Sequence, residues 1–544
     1  MITQILDSLY QEGKIRIIST KHEQAAAFAA EGFARESNIP GIALATSGPG
    51  ATNLLTAIGS CYFDAVPTIF ITGQVNTHEL KKDKEIRQLG FQETDIVSMA
   101  KPICKKAYQL EKGRDIVKIL EEAFEIALSG RMGPVLIDIP MNVQREVAIE
   151  NYEFKKIAPK PVTNSISDQF WKELNSKIQK SQKPIILVGR GILKNKALLK
   201  KFVEKSNIPI VTSLLAIDAI ESNHFLKGGM IGSYGNRWSN KAIGNSDLLL
   251  VIGSRLDIRQ TGADVTGFST NKIIYQVDVD TNEINNRVKN TIGINTTAED
   301  FLNQAVQKIE YKDTRAWMEM IKEDKRLFPD TEELKGIEGI NPNVFLKQLS
   351  QLSPLAKSFI ADVGSHQMWA AQSVVLNENQ TFHSSGGMGA MGFSLPAAIG
   401  VALAADKPVV SISGDGGFQL NIQELQTIVH YQLPIKIVII NNESLGMIRQ
   451  FQDSYFDGRH QSTVWGYSAP DFQKIALAYG IDAFTIDKEE EIEAGLQKMW
   501  LKPDQPFLLQ VRIDKKTNVY PKIAFGKSIT EMEPYVLPTE MEST

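Results

Sequence analysis

Short apolar runs alternate with amphipathic stretches along nearly the whole chain, and this alternation constrains the fold more than any other feature. Such a pattern is typical of buried parallel strands connected by helices that pack on the sheet. It predicts an α/β protein with three consecutive parallel-sheet domains. The predicted strands are Ile15–Ser19, Gly41–Thr46, Thr68–Thr72, Val135–Ile139, Pro184–Val188, Pro209–Thr212, Leu248–Ile252, Lys272–Val279, Ser358–Asp362, Val409–Ser413 and Ile435–Ile440.

Two polar segments divide the chain. Pro159–Ile166 has the composition of a linker, and the charged, helix-prone stretch Tyr311–Lys335 follows the second group of strands. We therefore expect domains at residues 1–152, 165–312 and 340–525. The 544 residues are enough for several domains of ordinary size.

Composition excludes several classes of protein. The chain has 59 Lys and Arg against 63 Asp and Glu, a formal net charge of −4, which gives no support to nucleic-acid binding. Its two cysteines, Cys61 and Cys104, are too few for a disulfide framework or a cysteine-rich zinc site. No apolar run has the length of a membrane helix, and the first residues lack the pattern of a secretory signal. The sequence predicts a soluble, cytoplasmic protein.

Two motifs near residue 430 carry the chemistry of a cation site. Gly414-Asp-Gly416 follows one predicted strand, and Asn441-Asn442 follows the next. Because both strands of a right-handed βαβ unit run parallel, Asp415 and Asn442 are expected at the same carboxyl edge of the sheet. A carboxylate, an amide carbonyl and the Ser444 backbone carbonyl are ligands for a hard divalent cation, and the glycines allow a diphosphate to approach. The alternative is an ordinary strand-end aspartate and an Asn-Asn turn.

The pair of motifs, separated by the 24 residues 417 to 440, resembles the signature of the thiamine-diphosphate-dependent enzymes. The resemblance extends over most of the chain and is strongest to acetolactate (acetohydroxyacid) synthases. The matching stretches are Glu23–Ala25, Thr46–Asn53, Thr72–Val75, Phe91–Glu93, Gly133–Val135, Asp362–Gly364, His366–Ala370, Gly386–Gly392, Pro396–Ala398 and Asn421–Leu425.

The resemblance implies a role for particular residues. Glu23 would be the acid beside the aminopyrimidine ring of thiamine diphosphate, although a first-turn glutamate otherwise more often stabilises its helix. Gly389 would bind the aminopyrimidine through its backbone, and Met391 would hold the coenzyme bent. The implied catalytic residues are Glu23, Phe91, Gln92 and Met447. The implied coenzyme-binding residues are Pro49, Asn53, Val363, Gly364, Ser365, His366, Gly389, Met391, Gly414, Gly416, Gly417, Leu445 and Gly446. The implied Mg²⁺ ligands are Asp415, Asn442 and Ser444.

The middle of the chain resembles the segment of acetolactate synthases that binds a structural FAD. The implied flavin-binding residues are Gly253, Arg255, Asp257, Arg259 and Asp278. Arg259 would also recognise the carboxylate of the acceptor, and Phe451 would line the acceptor pocket.

The function implied by the resemblance is decarboxylation of pyruvate and transfer of the two-carbon unit to a second carbonyl, most simply to form 2-acetolactate. The absence of an adjacent His pair favours ligation over release of an aldehyde. The family further implies a homodimer or a dimer of dimers, in which one coenzyme lies between two subunits, and a regulatory small subunit.

The sequence departs from the acetolactate synthases in four ways near the expected flavin and acceptor sites. Phe451 replaces Trp, Ile258 replaces an acidic residue, Ser233-Tyr234 replaces Met-His, and Ile294 replaces Asp. These changes leave open a carboligase that acts on a nucleotide-linked keto-deoxysugar.

The family also has a further strand and helix ahead of the point that corresponds to Met1. Two interpretations follow: the natural start lies upstream, or the chain is a damaged copy. The second leaves open an inactive paralogue that binds the cofactor and assembles with an active partner.

Overall fold

The computed structural model describes residues 1–146, 166–334 and 336–539. Within these ranges, three sheets of four, six and six strands follow one another, and every strand pair in them is parallel. The predicted fold class is therefore confirmed. The domain limits stay predictions, and those at 152 and 165 lie outside the described residues, as does the predicted linker except for Ile166.

The strand order is β1-β2-β4-β3 in the first sheet, β10-β9-β8-β5-β6-β7 in the second and β12-β11-β13-β14-β16-β15 in the third. The strands are β1 Gly41–Ala45, β2 Thr68–Gln74, β3 Lys106–Gln109, β4 Pro134–Pro140, β5 Pro184–Val188, β6 Ile210–Thr212, β7 Lys227–Met230, β8 Leu248–Ile252, β9 Ile273–Asp278, β10 Ile292–Asn295, β11 Ser358–Ala361, β12 Thr381–Ser384, β13 Val409–Gly414, β14 Ile435–Asn441, β15 Asp482–Ile486 and β16 Phe507–Arg512. A short antiparallel pair, β17 Lys522–Ile523 and β18 Met532–Glu533, follows.

Helices cover the faces of these sheets. They are α1 Thr3–Glu12, α2 Glu23–Ser37, α3 Pro49–Asn53, α4 Leu55–Phe63, α5 Ile96–Ala100, α6 Ile116–Leu128, α7 Asp168–Lys180, α8 Lys196–Ser206, α9 Arg237–Asn245, α10 Ile258–Thr261, α11 Val265–Ser269, α12 Ala298–Lys308, α13 Arg315–Leu327, α14 Pro342–Gln351, α15 Ser365–Ser373, α16 Ser394–Ala405, α17 Asp415–Gln419, α18 Leu425–His430, α19 Gly446–Tyr455, α20 Phe472–Ala478 and α21 Ile492–Trp500. None of the helices in the described ranges is long and apolar enough to cross a membrane.

One predicted strand is wrong. Residues 15–19 pair with no strand in the described ranges, and Ile15 keeps 59% of its surface exposed. The β-branched pattern favours a strand, but a strand forms only where a neighbour accepts its backbone hydrogen bonds. Six strands of the three parallel sheets were not predicted, and they are mostly edge strands, since only β16 lies inside a sheet. Edge strands are partly exposed and therefore less apolar.

The first and third parts of the chain share one apolar core, which contains residues from α2, β1, α16 and β13. Helices α2 and α16 approach closely because glycines lie at their contact. A Cβ atom on Gly32 would lie 2.2 Å from the Ala397 carbonyl oxygen, and one on Gly400 would lie 1.8 Å from that of Ala29. The central sheet has a separate core. The close helix contact fixes the first sheet relative to the third.

Candidate active site

The Gly-Asp-Gly and Asn-Asn motifs lie side by side at the carboxyl edge of the third sheet. Strand β13 ends at Gly414, and β14 ends at Asn441. The strands pair in parallel, with Gly414 opposite Ile440. Asp415 and Asn442 therefore leave neighbouring strands at the same edge, where open α/β sheets bind their ligands.

Three oxygen-bearing groups converge at this edge. A terminal atom of the Asn442 carboxamide lies 3.2 Å from Asp415 Oδ1 and 2.8 Å from the Ser444 carbonyl oxygen. With nitrogen at that position the amide donates two hydrogen bonds; with oxygen there, three acceptors face one another and require a cation between them. Neighbouring ligand oxygens around octahedral Mg²⁺ lie about 2.9 Å apart, given Mg–O distances of about 2.0–2.1 Å. The donor set and its spacing thus fit Mg²⁺.

The electrostatics of Asp415 agree with this fit. Burial of the carboxyl raises the pKa of Asp415 to about 6, although the Tyr467 hydroxyl donates a hydrogen bond to it at 2.9 Å. A divalent cation would stabilise the ionised form that burial disfavours. No group of three or more His, Cys, Asp or Glu in the described ranges could hold a metal ion. The site combines one carboxylate with neutral oxygens.

The same edge has the features of an anion site. Helices α15, α17 and α19 begin at Ser365, Asp415 and Gly446, so their N-termini all follow strands of the third sheet at this edge. Helix N-termini present free backbone N–H groups and a positive partial charge. Ser365 Oγ, His366 Nε2 and Ser444 Oγ are buried without a hydrogen-bond partner.

Glycines at this edge leave no room for a side chain, as the distances to their neighbours show. A Cβ atom on Gly446 would lie 2.8 Å from Ser365 Oγ, and one on Gly414 would lie 2.7 Å from His366 Nδ1. Burial lowers the pKa of His366 to about 3, so its ring is neutral. Neutral donors and orphaned hydroxyls suit a bound diphosphate, so the residues present fit that group.

A loop of the third part is fixed to strand β11 by a buried carboxylate. Asp362 accepts hydrogen bonds from the backbone N–H groups of Val363 at 2.7 Å, Gly392 at 2.9 Å and Ser394 at 3.0 Å. The loop so held includes Gly389 and Met391. Gly389 has φ +66° and open space beside it, and the Met391 methyl would lie 3.5 Å from a Cβ atom on Gly416.

In the first part of the chain, Glu23 begins helix α2. Asn53 Nδ2 donates to Glu23 Oε2 at 3.0 Å, and a Cβ atom on Gly50 would lie 3.2 Å from Glu23 Oε1. Gln92 has φ +63° and would contact a Cβ atom on Gly48. Pro49 is the first residue of the intervening α3. The structure therefore groups Glu23, Pro49, Asn53 and Gln92.

The remaining predicted residues of the coenzyme and acceptor sites differ in their exposure and contacts. Phe91 is 81% exposed. Leu445 lies beside Gly416, and Met447 packs on the core of the third part. The Phe451 ring is 39% exposed and its centroid lies 4.8 Å from that of Tyr455. Among the described residues, no hydrogen bond joins Glu23 to the Asp415 group. We call the group around Glu23 and the group around Asp415 the two half-sites.

The predicted flavin residues follow strands β8 and β9 of the central sheet. From β5, the chain continues outward through β6 and β7 on one side and later through β8 to β10 on the other, which defines a topological switch point. Gly253 lies there, with φ +62°, and its carbonyl accepts a hydrogen bond from the Gly191 N–H at 3.1 Å. Asp278 ends β9, and burial raises its pKa.

The two arginines of this segment differ in their contacts and exposure. Arg255 pairs with Asp257 at 3.2 Å, and Asp257 caps α10 by accepting from the Arg259 N–H at 2.9 Å. The Arg259 side chain is exposed, and its carbonyl accepts from the Ser233 N–H at 2.6 Å. Two arginines and a strand-end aspartate at this switch point are residue types that could hold a dinucleotide.

Sequence reasoning assigned no role to several residues that contact these half-sites, although Asp362 and Glu424 lie in stretches that resemble the family. Asp362, Tyr467, Asp64 and Glu424 act through other residues, and Asp64 and Glu424 reach across to the other part of the chain. Buried carboxyl groups in otherwise apolar segments are the signal that could have identified Asp64 and Glu424.

Comparison with known protein families agrees with the fold. Family models match residues 1–99 (thiamine pyrophosphate enzyme, N-terminal TPP binding domain), 171–305 (central domain) and 362–511 (C-terminal TPP binding domain). The chain belongs to the thiamine pyrophosphate enzyme family, whose coenzyme is thiamine diphosphate.

Individual relatives define its branch. The chain is 35% identical to the acetolactate synthase isozyme 1 large subunit of Escherichia coli (strain K12), over 98% of this chain and 93% of the relative. It is 38% identical to the probable acetolactate synthase large subunit of Methanocaldococcus jannaschii, over 97% and 90%. It is 36% identical to the chloroplastic acetolactate synthase of Arabidopsis thaliana, over 97% and 80%. This chain is a thiamine-diphosphate-dependent enzyme related to acetolactate synthase.

Proposed function

We propose that this protein decarboxylates pyruvate and joins the two-carbon unit to a second carbonyl compound, most simply a second pyruvate, to give 2-acetolactate. The observation that carries the proposal is the set of unpartnered buried groups at the carboxyl edge of the third sheet. It fits a metal-bound diphosphate, in a chain related throughout to acetolactate synthases.

Bound thiamine diphosphate supplies the nucleophilic carbon and the electron sink for decarboxylation. Glu23 would hold a proton at the aminopyrimidine ring, oriented by Asn53. Gly389 and Met391 would position that ring, and Gln92 would lie beside it. Met447 and the exposed Phe91 would bound the reacting region and exclude water from it.

Asp415, Asn442 and the Ser444 carbonyl would hold Mg²⁺, which neutralises the diphosphate. Ser365 and His366 would donate hydrogen bonds to its oxygens. The remaining cradle is backbone, supplied by Val363, Gly364, Gly414, Gly416, Gly417, Leu445 and Gly446. A structural FAD would occupy the central crevice at Gly253, Arg255, Asp257 and Asp278.

The two half-sites of one chain support assembly as a homodimer or a dimer of dimers. In that assembly, Glu23 of one subunit would meet the diphosphate held by another. The relatives that are named large subunits further suggest a regulatory small subunit as a partner.

A second candidate acceptor is a nucleotide-linked keto-deoxysugar. The observation that favours it is the composition of the proposed acceptor pocket. Phe451 has a smaller ring than Trp, Ile258 is 56% exposed where a charge is expected, and Ile294 is buried. Ser233 and Tyr234 lie next to Arg259, which would hold an acceptor carboxylate. These residues make the pocket roomier and less charged.

The deciding experiment supplies labelled pyruvate to the protein with thiamine diphosphate, Mg²⁺ and FAD, and identifies the products by mass spectrometry. Pyruvate alone, pyruvate with 2-ketobutyrate and pyruvate with a 4-keto-deoxysugar nucleotide form three parallel reactions. The proposal expects labelled acetolactate from the first. A labelled branched sugar with negligible acetolactate would establish the second candidate.

The inactive paralogue is the remaining outcome. It would bind the coenzyme, seen as quenching of tryptophan fluorescence, and yet consume no pyruvate in any of the three reactions. The variant Arg259→Met tests separately whether Arg259 binds the acceptor. That variant should weaken reaction with an acceptor carboxylate but not with a sugar.

A further inference from the structure

Two buried carboxylates join the first and third parts of the chain in reciprocal fashion. Each carboxylate belongs to one part and accepts hydrogen bonds from two consecutive backbone N–H groups of the other. Each pair of N–H groups belongs to a segment that leads into one of the packed helices α2 and α16. The donors are therefore close in sequence to residues that would act on the coenzyme.

Asp64 of the first part holds the glycine loop of the third. Its Oδ2 accepts from the Gly386 N–H at 2.9 Å, and its Oδ1 accepts from the Gly387 N–H at 2.7 Å. Arg35 donates to Asp64 Oδ2 at 2.7 Å and is itself paired with Glu31. All three charged side chains are buried. A buried charged group thus fixes the loop that continues to Gly389 and Met391.

Glu424 of the third part holds the segment that leads into helix α2. Its Oε1 accepts from the Lys21 and His22 N–H groups, both at 3.0 Å, and Thr427 donates to its Oε2 at 2.6 Å. The Glu424 side chain is fully buried. The next residue after His22 is Glu23.

Neighbouring contacts strengthen this second attachment. Asn421 Nδ2 donates to Gln24 Oε1 at 3.2 Å and to the Gly392 carbonyl at 2.8 Å. The Tyr431 hydroxyl accepts from the Ser19 N–H at 2.8 Å. The residues on both sides of Glu23 are therefore attached to the third part of the same chain.

We infer that Glu424 and Asp64 are reciprocal positioning residues: Glu424 sets the position of the acid Glu23, and Asp64 sets the position of the loop with Gly389 and Met391. The inference rests on the proposed function, since it presumes that these residues meet the coenzyme. It distinguishes two effects, because Glu424 controls proton transfer whereas Asp64 controls how the coenzyme is held.

The principal test compares Glu424→Ala with Glu424→Gln. The alanine variant removes both acceptors, whereas the glutamine variant keeps an oxygen for the Lys21 and His22 N–H groups. Glu493→Ala, an exposed residue of α21, removes the same charge far from the attachment and is the control. Two quantities are measured: amide hydrogen exchange of residues 19–24 in the coenzyme-free protein, and proton exchange at the reactive carbon of bound thiamine diphosphate.

For Glu424→Ala we expect amide exchange at Lys21 and His22 to rise about tenfold or more, because two buried hydrogen bonds are lost. Coenzyme proton exchange should slow by about 10–100-fold, the usual result of a small misplacement of a reacting group. Thiamine diphosphate affinity should change less than about threefold. Glu424→Gln should retain most of the native behaviour in both measurements.

Asp64→Asn gives the reciprocal result if the inference holds. The amide nitrogen would face N–H donors, so the glycine loop should be displaced and thiamine diphosphate affinity should fall about tenfold. The inference is overturned if Glu424→Ala leaves either exchange rate unchanged, or if alanine and glutamine behave alike. Failure of the proposed function is separate: in that case Glu23→Gln leaves coenzyme proton exchange unchanged, while the amide measurement still tests the attachment.

Discussion

The first and third sheets have the same strand order but differ in how many strands they contain. The four strands of the first sheet, β1-β2-β4-β3, correspond to β13-β14-β16-β15 of the third. In each, a helix immediately precedes the first strand of this set, α2 before β1 and α16 before β13. The third sheet continues through β11 and β12, whereas β1 is an edge strand within the described residues.

This difference explains why Ile15–Ser19 is not a strand. It lies between two helices, α1 and α2, just as β12 lies between α15 and α16. Strand β12 forms because it pairs with β11, and β11 pairs with β13. Residues 15–19 have the apolar, β-branched composition of a strand but no such neighbour in the described ranges. A segment with the composition of a strand therefore forms one only where a neighbouring strand pairs with it.

The two sheets also treat a buried carboxyl group differently. Burial raises the pKa of Asp138 in β4 and that of Asp415 after β13 to about 6 in each case. Asp138 is surrounded by neutral donors from Thr72, Gln74 and Gln109. Asp415 accepts a hydrogen bond from the Tyr467 hydroxyl, and its Oδ1 lies 3.2 Å from a terminal atom of the Asn442 carboxamide. Asp138 is held by donors within its own sheet, whereas Asp415 lies where the candidate cation site is.

The largest expected effect is that of Glu23→Gln on coenzyme proton exchange, which tests whether the first and third parts of the chain have different roles. If the first part supplies the acid and the third part the metal, Glu23→Gln should slow coenzyme proton exchange about 10³-fold while Mg²⁺ affinity stays unchanged. Asp415→Asn should show the reverse pattern, with Mg²⁺ affinity lowered on the order of tenfold or more. Exchange is followed by NMR of quenched samples and Mg²⁺ affinity by titration. Similar behaviour of the two variants would remove the proposed division of roles.

Amide hydrogen exchange should show the next largest difference. The amides of residues 15–18 have no strand partner, whereas those of β12 are paired with β11. We expect residues 15–18 to exchange about 10²-fold faster or more than residues 382–384, because exchange at paired positions requires opening of the sheet. Mass spectrometry of peptides from both segments in one sample provides an internal control. Equal protection of both segments would show that residues 15–19 are paired after all.

The smallest effect concerns Asp138 and the dependence of stability on pH. Its folded pKa of about 6 lies above the usual 3.8, so the unfolded chain loses the proton first as pH rises. The free energy of unfolding should therefore decrease between about pH 4 and pH 6, by at most about 3 kcal/mol from this residue.

Asp138→Asn should remove that part of the pH dependence, measured as urea unfolding at pH 4 and pH 7. Asp7→Asn, on the exposed side of α1, is the matched control and should leave the profile unchanged. A wild-type profile that coincides with the Asp138→Asn profile would contradict the assignment.

Much of the fold could be predicted because central parallel strands are apolar throughout. Strands β5 and β8 were predicted to the residue, since both are continuous buried runs. The edge strands β3, β7, β10, β12 and β15 were not, because polar or glycine residues interrupt the apolar run in each of them. For the candidate site, the motifs after β13 and β14 indicated Asp415 and Asn442, and parallel pairing brings them together.

The sequence by itself determined most of the inner strands of the three sheets and the residues that follow them, because burial on both faces requires a continuous apolar run. The inner strand β16 is the exception. Only the tertiary structure decided that residues 15–19 stay unpaired and that Asp64 and Glu424 attach the first part of the chain to the third. Hydrogen bonds between residues hundreds of positions apart depend on which surfaces pack together, and the local sequence around each residue does not predict that packing.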